Sequence, residues 1–228
     1  MRSLSPHKRE GPASPPIWEP DAQPQEMTSP PGFHLLPGRL DEKAQARLAS
    51  QVLAAARTAP FHRPVTPGGK PMSVEMTGLG PLCWVSDAKG YRYEAHHPVT
   101  GMAWPAIPRV LLDLWAELCD RATPPDACLV NLYRGAARMG LHQDRDEADY
   151  GFPVLSVSLG DTAVFRIGGT KRTDPTASVR LASGDVCVLG GEARLAFHGV
   201  DRLVPGSSRL IPGGGRINLT LRRALAAG

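Results

Sequence analysis

A series of short segments after residue 126 most strongly constrains the fold of this 228-residue chain. Each segment is rich in β-branched and aromatic residues and is bounded by glycine or other turn residues, which is the pattern of short strands. The segments are ACLVNLY, GFPVLSVSLG, TAVFRIGG, SVRLASGDVCVLGG, RLAFHGV and RINLTLRR. Because about seven strands follow one another here, the sequence predicts a mostly β fold with a sandwich or jelly-roll core, the double-stranded β-helix.

Two helices are predicted before these strands. Asp41 can cap a helix that runs to about Arg57 and carries an apolar face. A second helix is expected near residues 106–121, where apolar residues recur at helical spacing: Ile107, Val110, Leu111, Leu114, Trp115 and Leu118. Between the helices, residues 66–87 alternate short extended pieces with turn residues, which predicts a hairpin. We therefore expect helices that flank one face of the β core.

The N-terminal segment differs in composition from the rest of the chain. Residues 1–31 contain eight prolines and few apolar residues, which predicts a disordered leader ahead of one domain at 32–228. No apolar signal region is present, and no apolar run reaches membrane-spanning length. The four cysteines are scattered without paired spacing, as in reduced thiols. We expect a cytoplasmic, monomeric protein with no membrane partner.

The positive charge of the chain is concentrated near its C-terminus. The net charge is only +4, but residues 201–228 contain five arginines and a single aspartate. Such a distribution is compatible with an anionic ligand or with a phosphate backbone, and it does not distinguish between them.

The segment LHQDRDE (141–147) places His142 and Asp144 one residue apart among several acids. On a strand, residues i and i+2 project from the same face, so Asp146 would share a face with His142 and Asp144 while Glu147 would turn away. A His-x-Asp triplet alone is weak evidence, because chance often produces one.

A third metal ligand is expected elsewhere in the chain, and His198 in LAFHGV is the best candidate. Two histidines and one carboxylate form the facial set that holds Fe(II) with open coordination positions. His198 could instead be a hydrogen-bonded histidine at the end of a strand. The other candidates, His62, His96 and His97, are expected on loops or at the surface.

The C-terminal segment RINLTLR places polar residues on one face of a strand and apolar residues on the other. The polar face carries Arg216, Asn218, Thr220 and Arg222. This face could be the solvated side of an edge strand. If it points inward, two guanidinium groups require anions, and a dicarboxylic co-substrate would supply them. Asn131 and Tyr133 of NLY would add neutral donors on a common face.

Several of these segments together resemble the AlkB family of Fe(II)- and 2-oxoglutarate-dependent nucleic-acid dealkylases. They are NLYRGAARMGLHQDRDE, VSLG, GDVCVLGGEARLAFHGV and RINLTLR, preceded by PVTPGGKPMSVEMT and AWPAIP. The resemblance covers residues 60–223, in order and with compatible spacing. Leu189 in VLGG and the segment EAHHP depart from the enterobacterial pattern.

The resemblance implies a role for each matching residue. His142, Asp144 and His198 would bind iron. Asn131, Tyr133, Arg216, Asn218 and Arg222 would hold 2-oxoglutarate. The substrate-side residues would be Thr66, Met76, Trp84, Tyr91, Tyr93, Asp146 and Arg172, with a recognition lid at about 60–100. Trp84 could instead be a core residue, and the two tyrosines ordinary strand aromatics.

The reaction implied by the resemblance is oxidative demethylation of 1-methyladenine and 3-methylcytosine, which consumes O2 and 2-oxoglutarate and releases formaldehyde and succinate. The substrate would be single-stranded or damaged DNA, with RNA as the alternative. A protein-directed dioxygenase, a zinc hydrolase with the same triad and a non-catalytic nucleic-acid-binding module remain competing interpretations.

Overall fold

The computed structural model describes residues 29–119 and 122–226, so the predicted leader lies outside the described residues except for its last three. The chain forms, in order, β1 (Phe33–Leu36), α1 (Glu42–Ala55), β2 (Glu75–Leu79), β3 (Cys83–Asp87), β4 (Gly90–Glu94), α2 (Arg109–Leu118), β5 (Ala127–Tyr133), β6 (Met139–His142), β7 (Val154–Gly160), β8 (Thr162–Ile167), β9 (Ala177–Leu181), β10 (Val186–Leu189), the 3₁₀ helix η1 (Gly191–Leu195), β11 (His198–Val204) and β12 (Arg216–Arg222).

Two antiparallel sheets make up the β core. The larger sheet has the order β1-β10-β7-β12-β5-β2, and the smaller one has the order β6-β11-β8-β9. Side chains from both sheets meet in one apolar cluster, so the sheets pack face to face and the predicted jelly roll is confirmed. Because β12 lies between β5 and β7, the alternative of a solvated edge strand is wrong.

Both helices pack on the outer face of the larger sheet, as predicted. Asp41 caps α1 by accepting a hydrogen bond from the backbone N–H of Ala44 at 2.7 Å. Leu48 of α1 and Trp115 of α2 are buried in a second cluster with alternate residues of β5, β7, β10 and β12. Within the described part of the chain, no helix is long and apolar enough to cross a membrane.

The predicted hairpin within residues 66–87 is wrong in its location. Strand β2 joins the larger sheet beside β5, and the hairpin forms one strand later, between β3 and β4. The turn of hairpin β3–β4 is built by Asp87, whose carboxylate accepts a hydrogen bond from the N–H of Lys89 at 2.7 Å, and by Gly90 at a φ of 108°. The four cysteines are buried thiols outside any disulfide, as expected.

Strands β6 and β11 approach each other very closely at Gly199. A Cβ atom on Gly199 would lie 2.5 Å from the carbonyl oxygen of Met139 and 2.9 Å from that of Gly140. Substitution by alanine must therefore push the two strands apart, since backbone atoms cannot yield as a flexible side chain can.

Gly199→Ala should lower the free energy of unfolding by about 1–3 kcal/mol, the usual cost of overpacking. Urea denaturation of the purified protein measures this value. Gly140→Ala is the matched control on β6, because its added Cβ meets no atom within 4 Å. Equal losses in the two variants would contradict the proposed backbone clash.

Candidate metal centre and active site

A cavity of about 520 Å³ lies between the two sheets and opens beside hairpin β3–β4. Twelve of the fifteen predicted site residues line it: Met76, Trp84, Tyr91, Asn131, Tyr133, His142, Asp144, Asp146, Arg172, His198, Asn218 and Arg222. Thr66, Tyr93 and Arg216 are not among the lining residues. Nearly all of the candidate residues therefore line the same cavity.

The three predicted metal ligands converge in this cavity. His142 ends β6 and lies opposite His198, the first residue of β11. Asp144 follows in the loop, and one donor atom from each residue lies within 4.8 Å of the others. No other such cluster occurs among the described residues. The prediction that His142, Asp144 and Asp146 share one strand face is wrong, because β6 ends at His142 and a loop directs Asp144 inward.

Hydrogen bonds orient both imidazole rings toward Asp144. The Nδ1 atom of His142 lies 2.9 Å from the carbonyl of Gly140, and that of His198 lies 2.9 Å from the carbonyl of Ala196. A carbonyl can only accept, so each Nδ1 carries the proton and each Nε2 keeps its lone pair. These Nε2 atoms lie 3.7 and 3.8 Å from the Asp144 carboxylate oxygens.

The Oδ2 atom of Asp144 is buried and has no hydrogen-bond partner in the described part of the chain. An unpaired buried carboxylate oxygen beside the lone pair of an imidazole, here that of His198, is costly unless a cation binds there. The donor set of two nitrogens and one oxygen therefore fits Fe(II), and its facial arrangement leaves coordination positions for other ligands.

The charge states of the site suit metal binding. Burial opposes ionisation of Asp144, but the charges of Arg222, His198 and His142 outweigh it and hold the pKa of Asp144 below its usual range. Arg222 contacts Asp144 Oδ1 at 2.8 Å. Burial, assisted by His142, lowers the pKa of His198 to about 4. At neutral pH Asp144 is therefore an anion and His198 is neutral, as metal ligands must be.

Arg216 is a fully buried cation at the start of β12. Its guanidinium donates to the carbonyl of Leu181 at 3.0 Å and to the hydroxyl of Ser158 at 2.6 Å, while its Nε has no partner. Burial lowers the pKa of Arg216 to about 10. No carboxylate of the described residues forms an ion pair with it, so its neutral surroundings favour binding of an anionic ligand.

Polar side chains connect Arg216 to the cavity. Asn218 accepts hydrogen bonds from Arg216 and from Ser156, and its amide group donates to Thr220. Across the sheet, Asn131 pairs with Asn218, and the buried Oδ1 atom of Asn131 has no partner among the described residues. The predicted inward face of β12 is thus confirmed, and its unpaired polar atoms fit an oxygen-rich co-substrate.

Hairpin β3–β4 places aromatic rings at the mouth of the cavity. Trp84 and Tyr91 stack with ring centroids 5.3 Å apart. The indole N–H of Trp84 donates to Asp146 Oδ2 at 2.7 Å. Tyr93, opposite Trp84 in the hairpin, instead donates to Glu147 Oε1 at 2.5 Å. Thr66 lies in a turn, where its hydroxyl accepts a hydrogen bond from the backbone N–H of Lys70. Contacts of Thr66 and Tyr93 with the substrate remain predictions.

Two charged residues near the metal ligands were not predicted from the sequence to belong to the site. Glu147 was expected to face away from the site, yet it is buried and lines the cavity. Arg194 of η1 is also buried and forms an ion pair with Glu147 at 3.0 Å. The only sequence signal was a lone arginine in the apolar stretch before His198. His97 lies in a loop, as expected, but it is buried, and its Nε2 donates to the carbonyl of Pro60 at 2.8 Å.

Comparisons with known proteins agree with this geometry. The profile of the 2OG-Fe(II) oxygenase superfamily matches residues 32–222. The alpha-ketoglutarate-dependent dioxygenase AlkB homolog of Caulobacter vibrioides is 68% identical over 201 residues, which are 88% of this chain and 91% of that protein. The solved structure of OsALKBH1 has a TM-score of 0.74 and 32% identity, and the match covers 85% of this chain and 97% of that one.

Two relatives with shorter matches have names that state a substrate. The DNA N(6)-methyladenine demethylase ALKBH1D of Arabidopsis thaliana is 43% identical over 46% of this chain and 27% of its own length. The tRNA demethylase abh1 of Schizosaccharomyces pombe is 28% identical over 61% of this chain and 48% of its own length. From the profile match, the high identity and the triad in the cavity, we conclude that this chain belongs to the AlkB family of Fe(II)- and 2-oxoglutarate-dependent dioxygenases.

Proposed function

We propose that this dioxygenase removes N-methyl groups from nucleic-acid bases, with 1-methyladenine and 3-methylcytosine in DNA as substrates, and so repairs DNA by direct reversal of alkylation. The observation that carries the proposal is Asp146, an exposed acid held by Trp84 at the mouth of the metal-site cavity. An acid beside an aromatic face suits a flipped, positively charged base. The demethylase relatives support nucleic acid as the substrate class.

When bound, Fe(II) supplies the oxidation, in which 2-oxoglutarate and O2 yield succinate and CO2 and one oxygen atom enters a C–H bond of the N-methyl group. The resulting N–CH2OH group breaks its N–C bond, and the electron pair returns to the ring nitrogen. The hydroxyl proton is lost and formaldehyde leaves. For a cationic base, this step restores the neutral, unmodified base.

The protein binds and orients the reactants. Arg216, with Asn131, Tyr133 and Asn218, would hold 2-oxoglutarate, and burial raises the pKa of Tyr133 so that its hydroxyl remains a neutral donor. Arg222 would hold Asp144 in place and offer positive charge beside the metal ligands. The apolar walls, which include Leu129, Phe165 and Leu189, limit the access of water to the reaction.

We infer that single-stranded or damaged DNA is preferred, because a base must leave the helical stack to enter an enclosed cavity. Exposed Arg145 and Arg172 at the mouth would attract phosphate groups. RNA offers the same bases and phosphates, so it is the alternative substrate. A monomeric enzyme in the cytoplasm remains our expectation.

The competing interpretations fit the site less well. A zinc hydrolase would leave the buried charge of Arg216 without an anion, whereas the two carboxylates of 2-oxoglutarate account for it. A module without catalytic activity would not need an aligned triad of metal ligands. A protein-directed oxygenase would not need an acid beside an aromatic platform at the mouth.

The proposed function is tested by formaldehyde release from methylated oligonucleotides, with Fe(II) and 2-oxoglutarate each omitted in turn. DNA and RNA of the same sequence, single-stranded and duplex, form the substrate panel. We expect release that requires both cofactors and is highest on single-stranded DNA. Release from an unrelated methylated peptide, but from no oligonucleotide, would refute the proposal.

His142→Ala should abolish formaldehyde release while leaving the fold intact, because the site loses one metal ligand and the exposed end of β6 tolerates a smaller side chain. Circular dichroism checks the fold. Asp144→Ala should also abolish turnover, but it removes the carboxylate nearest to buried Arg222, leaves only the longer contact to Glu147, and should cost about 3 kcal/mol of stability. Iron-dependent release by a folded His142→Ala variant would contradict the assignment of this ligand.

Arg216→Gln should raise the concentration of 2-oxoglutarate needed for half-maximal turnover about ten- to a hundredfold, since a charge-assisted hydrogen bond contributes about 1.5–3 kcal/mol. Binding of an oligonucleotide should stay within about twofold of wild type. Arg222→Ala should weaken both 2-oxoglutarate and metal binding, because Arg222 also fixes Asp144. A selective loss of oligonucleotide binding in either variant would place that arginine on the phosphate surface instead.

Asp146→Asn should reduce turnover several-fold or more on 1-methyladenine and 3-methylcytosine, which are cationic, and much less on the neutral 1-methylguanine and 3-methylthymine. The asparagine oxygen can still accept from Trp84, so the hairpin contact survives while the charge is lost. Turnover is compared on four oligonucleotides that differ only in the lesion. An equal loss on all four lesions, with metal affinity unchanged, would show a purely structural role.

A further inference from the structure

Arg194 directs its guanidinium group at the loop that carries Asp144. Its Nη1 donates to the backbone carbonyl of Asp144 at 2.6 Å, and its Nε donates to the carbonyl of Phe152 at 2.7 Å. Its Nη2 donates to Glu147 Oε2 at 3.0 Å. One buried side chain thus holds the start, the interior and the end of the segment 144–152.

The same short helix also orients the second histidine ligand. Arg194 belongs to η1, and Ala196, the residue that caps the C-terminal end of η1, accepts the hydrogen bond from His198 Nδ1 at 2.9 Å through its carbonyl. The side chain of Arg194 and the carbonyl of Ala196 therefore act on two different ligands from one short segment. A displacement of η1 would move Asp144 and His198 relative to each other.

Glu147 compensates the buried charge of Arg194. Its side chain is only 2% exposed, and its two oxygens contact Arg194 on one side and Tyr93 and Arg222 on the other. An arginine buried without such a partner would be strongly destabilising, so the placement of Arg194 depends on Glu147. A lysine could keep the charge, but its compact ammonium lacks the planar fork that reaches two carbonyls and a carboxylate together.

We propose that Arg194 is a positioning residue that sets the placement of Asp144 relative to His198, with Glu147 as its fixed counter-charge. Arg194 touches neither the metal nor the substrate. It acts through the backbone carbonyl of Asp144 and thereby raises the affinity of the site for a divalent cation.

The test is the affinity for Mn(II), a redox-stable substitute for Fe(II), measured by electron paramagnetic resonance titration without nucleic acid. In Arg194→Lys we expect the Kd for Mn(II) to rise about ten- to a hundredfold, as is typical when a residue that supports a metal ligand is changed. The affinity for 2-oxoglutarate at saturating Mn(II) should change less than about twofold. Arg223→Lys is the matched control, since Arg223 is largely buried and paired with Asp126, and neither residue lines the cavity.

A lower melting temperature with an unchanged Kd for Mn(II) would overturn the proposal and leave Arg194 a purely structural residue. If Arg194→Lys does not fold, Glu147→Gln serves as the second variant, because it keeps the shape and removes only the counter-charge. A folded Glu147→Gln protein with wild-type Mn(II) affinity would equally overturn the proposal. Because no base or oligonucleotide enters the assay, its outcome is independent of the proposed substrate.

Discussion

The contact between Asp144 and Arg222 is the interaction on which the active site depends. Both side chains are buried, and the Arg222 Nη2 atom lies 2.8 Å from Asp144 Oδ1. The pair spans the two sheets, because Asp144 follows β6 of the smaller sheet and Arg222 ends β12 of the larger one. Arg222 thereby keeps the carboxylate ionised inside the protein, and the second oxygen of Asp144 remains free for a cation.

The cavity balances its charges in two separate groups. Around the metal ligands, Asp144 and Glu147 are matched by Arg222 and Arg194. Toward the other end of β12, Arg216 has only neutral partners among the described residues. A divalent cation and a dicarboxylate carry equal and opposite charges, so binding of both leaves the net charge of the cavity unchanged. The anion that Arg216 lacks in the apoprotein would be one carboxylate of the co-substrate.

The sequence predicted what depends on local periodicity. The alternation in β12 places Ile217, Leu219 and Leu221 against the helices and Asn218 and Arg222 in the cavity, as period-two spacing requires. Both helices were predicted correctly for the same reason, although each is shorter than expected. The ligand set was predicted from the resemblance and from residue type, and its members do meet in the structure.

What the sequence could not show depends on contacts between distant segments. Glu147 was placed on the wrong face because β6 ends at His142, and nothing in LHQDRDE marks that end. Its burial depends on Arg194, which lies 47 residues further along the chain. The hairpin forms one strand later than predicted because β2 pairs with β5, which follows α2 in the chain. Single-sequence patterns contain no information on such pairings.

Chemistry and substrate choice are carried by different parts of this fold. His198, Asn218 and Arg216 lie on strands that hydrogen-bond to neighbours on both sides, so their positions are fixed by the sheets. Trp84 and Tyr91 lie on a two-stranded hairpin that belongs to neither large sheet. That hairpin is tied to the site through hydrogen bonds to Asp146 and Glu147. Changes in the hairpin can therefore alter which base is accepted with little effect on the metal ligands. Changes at Glu147 affect both base selection and the metal site, because this residue contacts the hairpin and the arginines that hold Asp144.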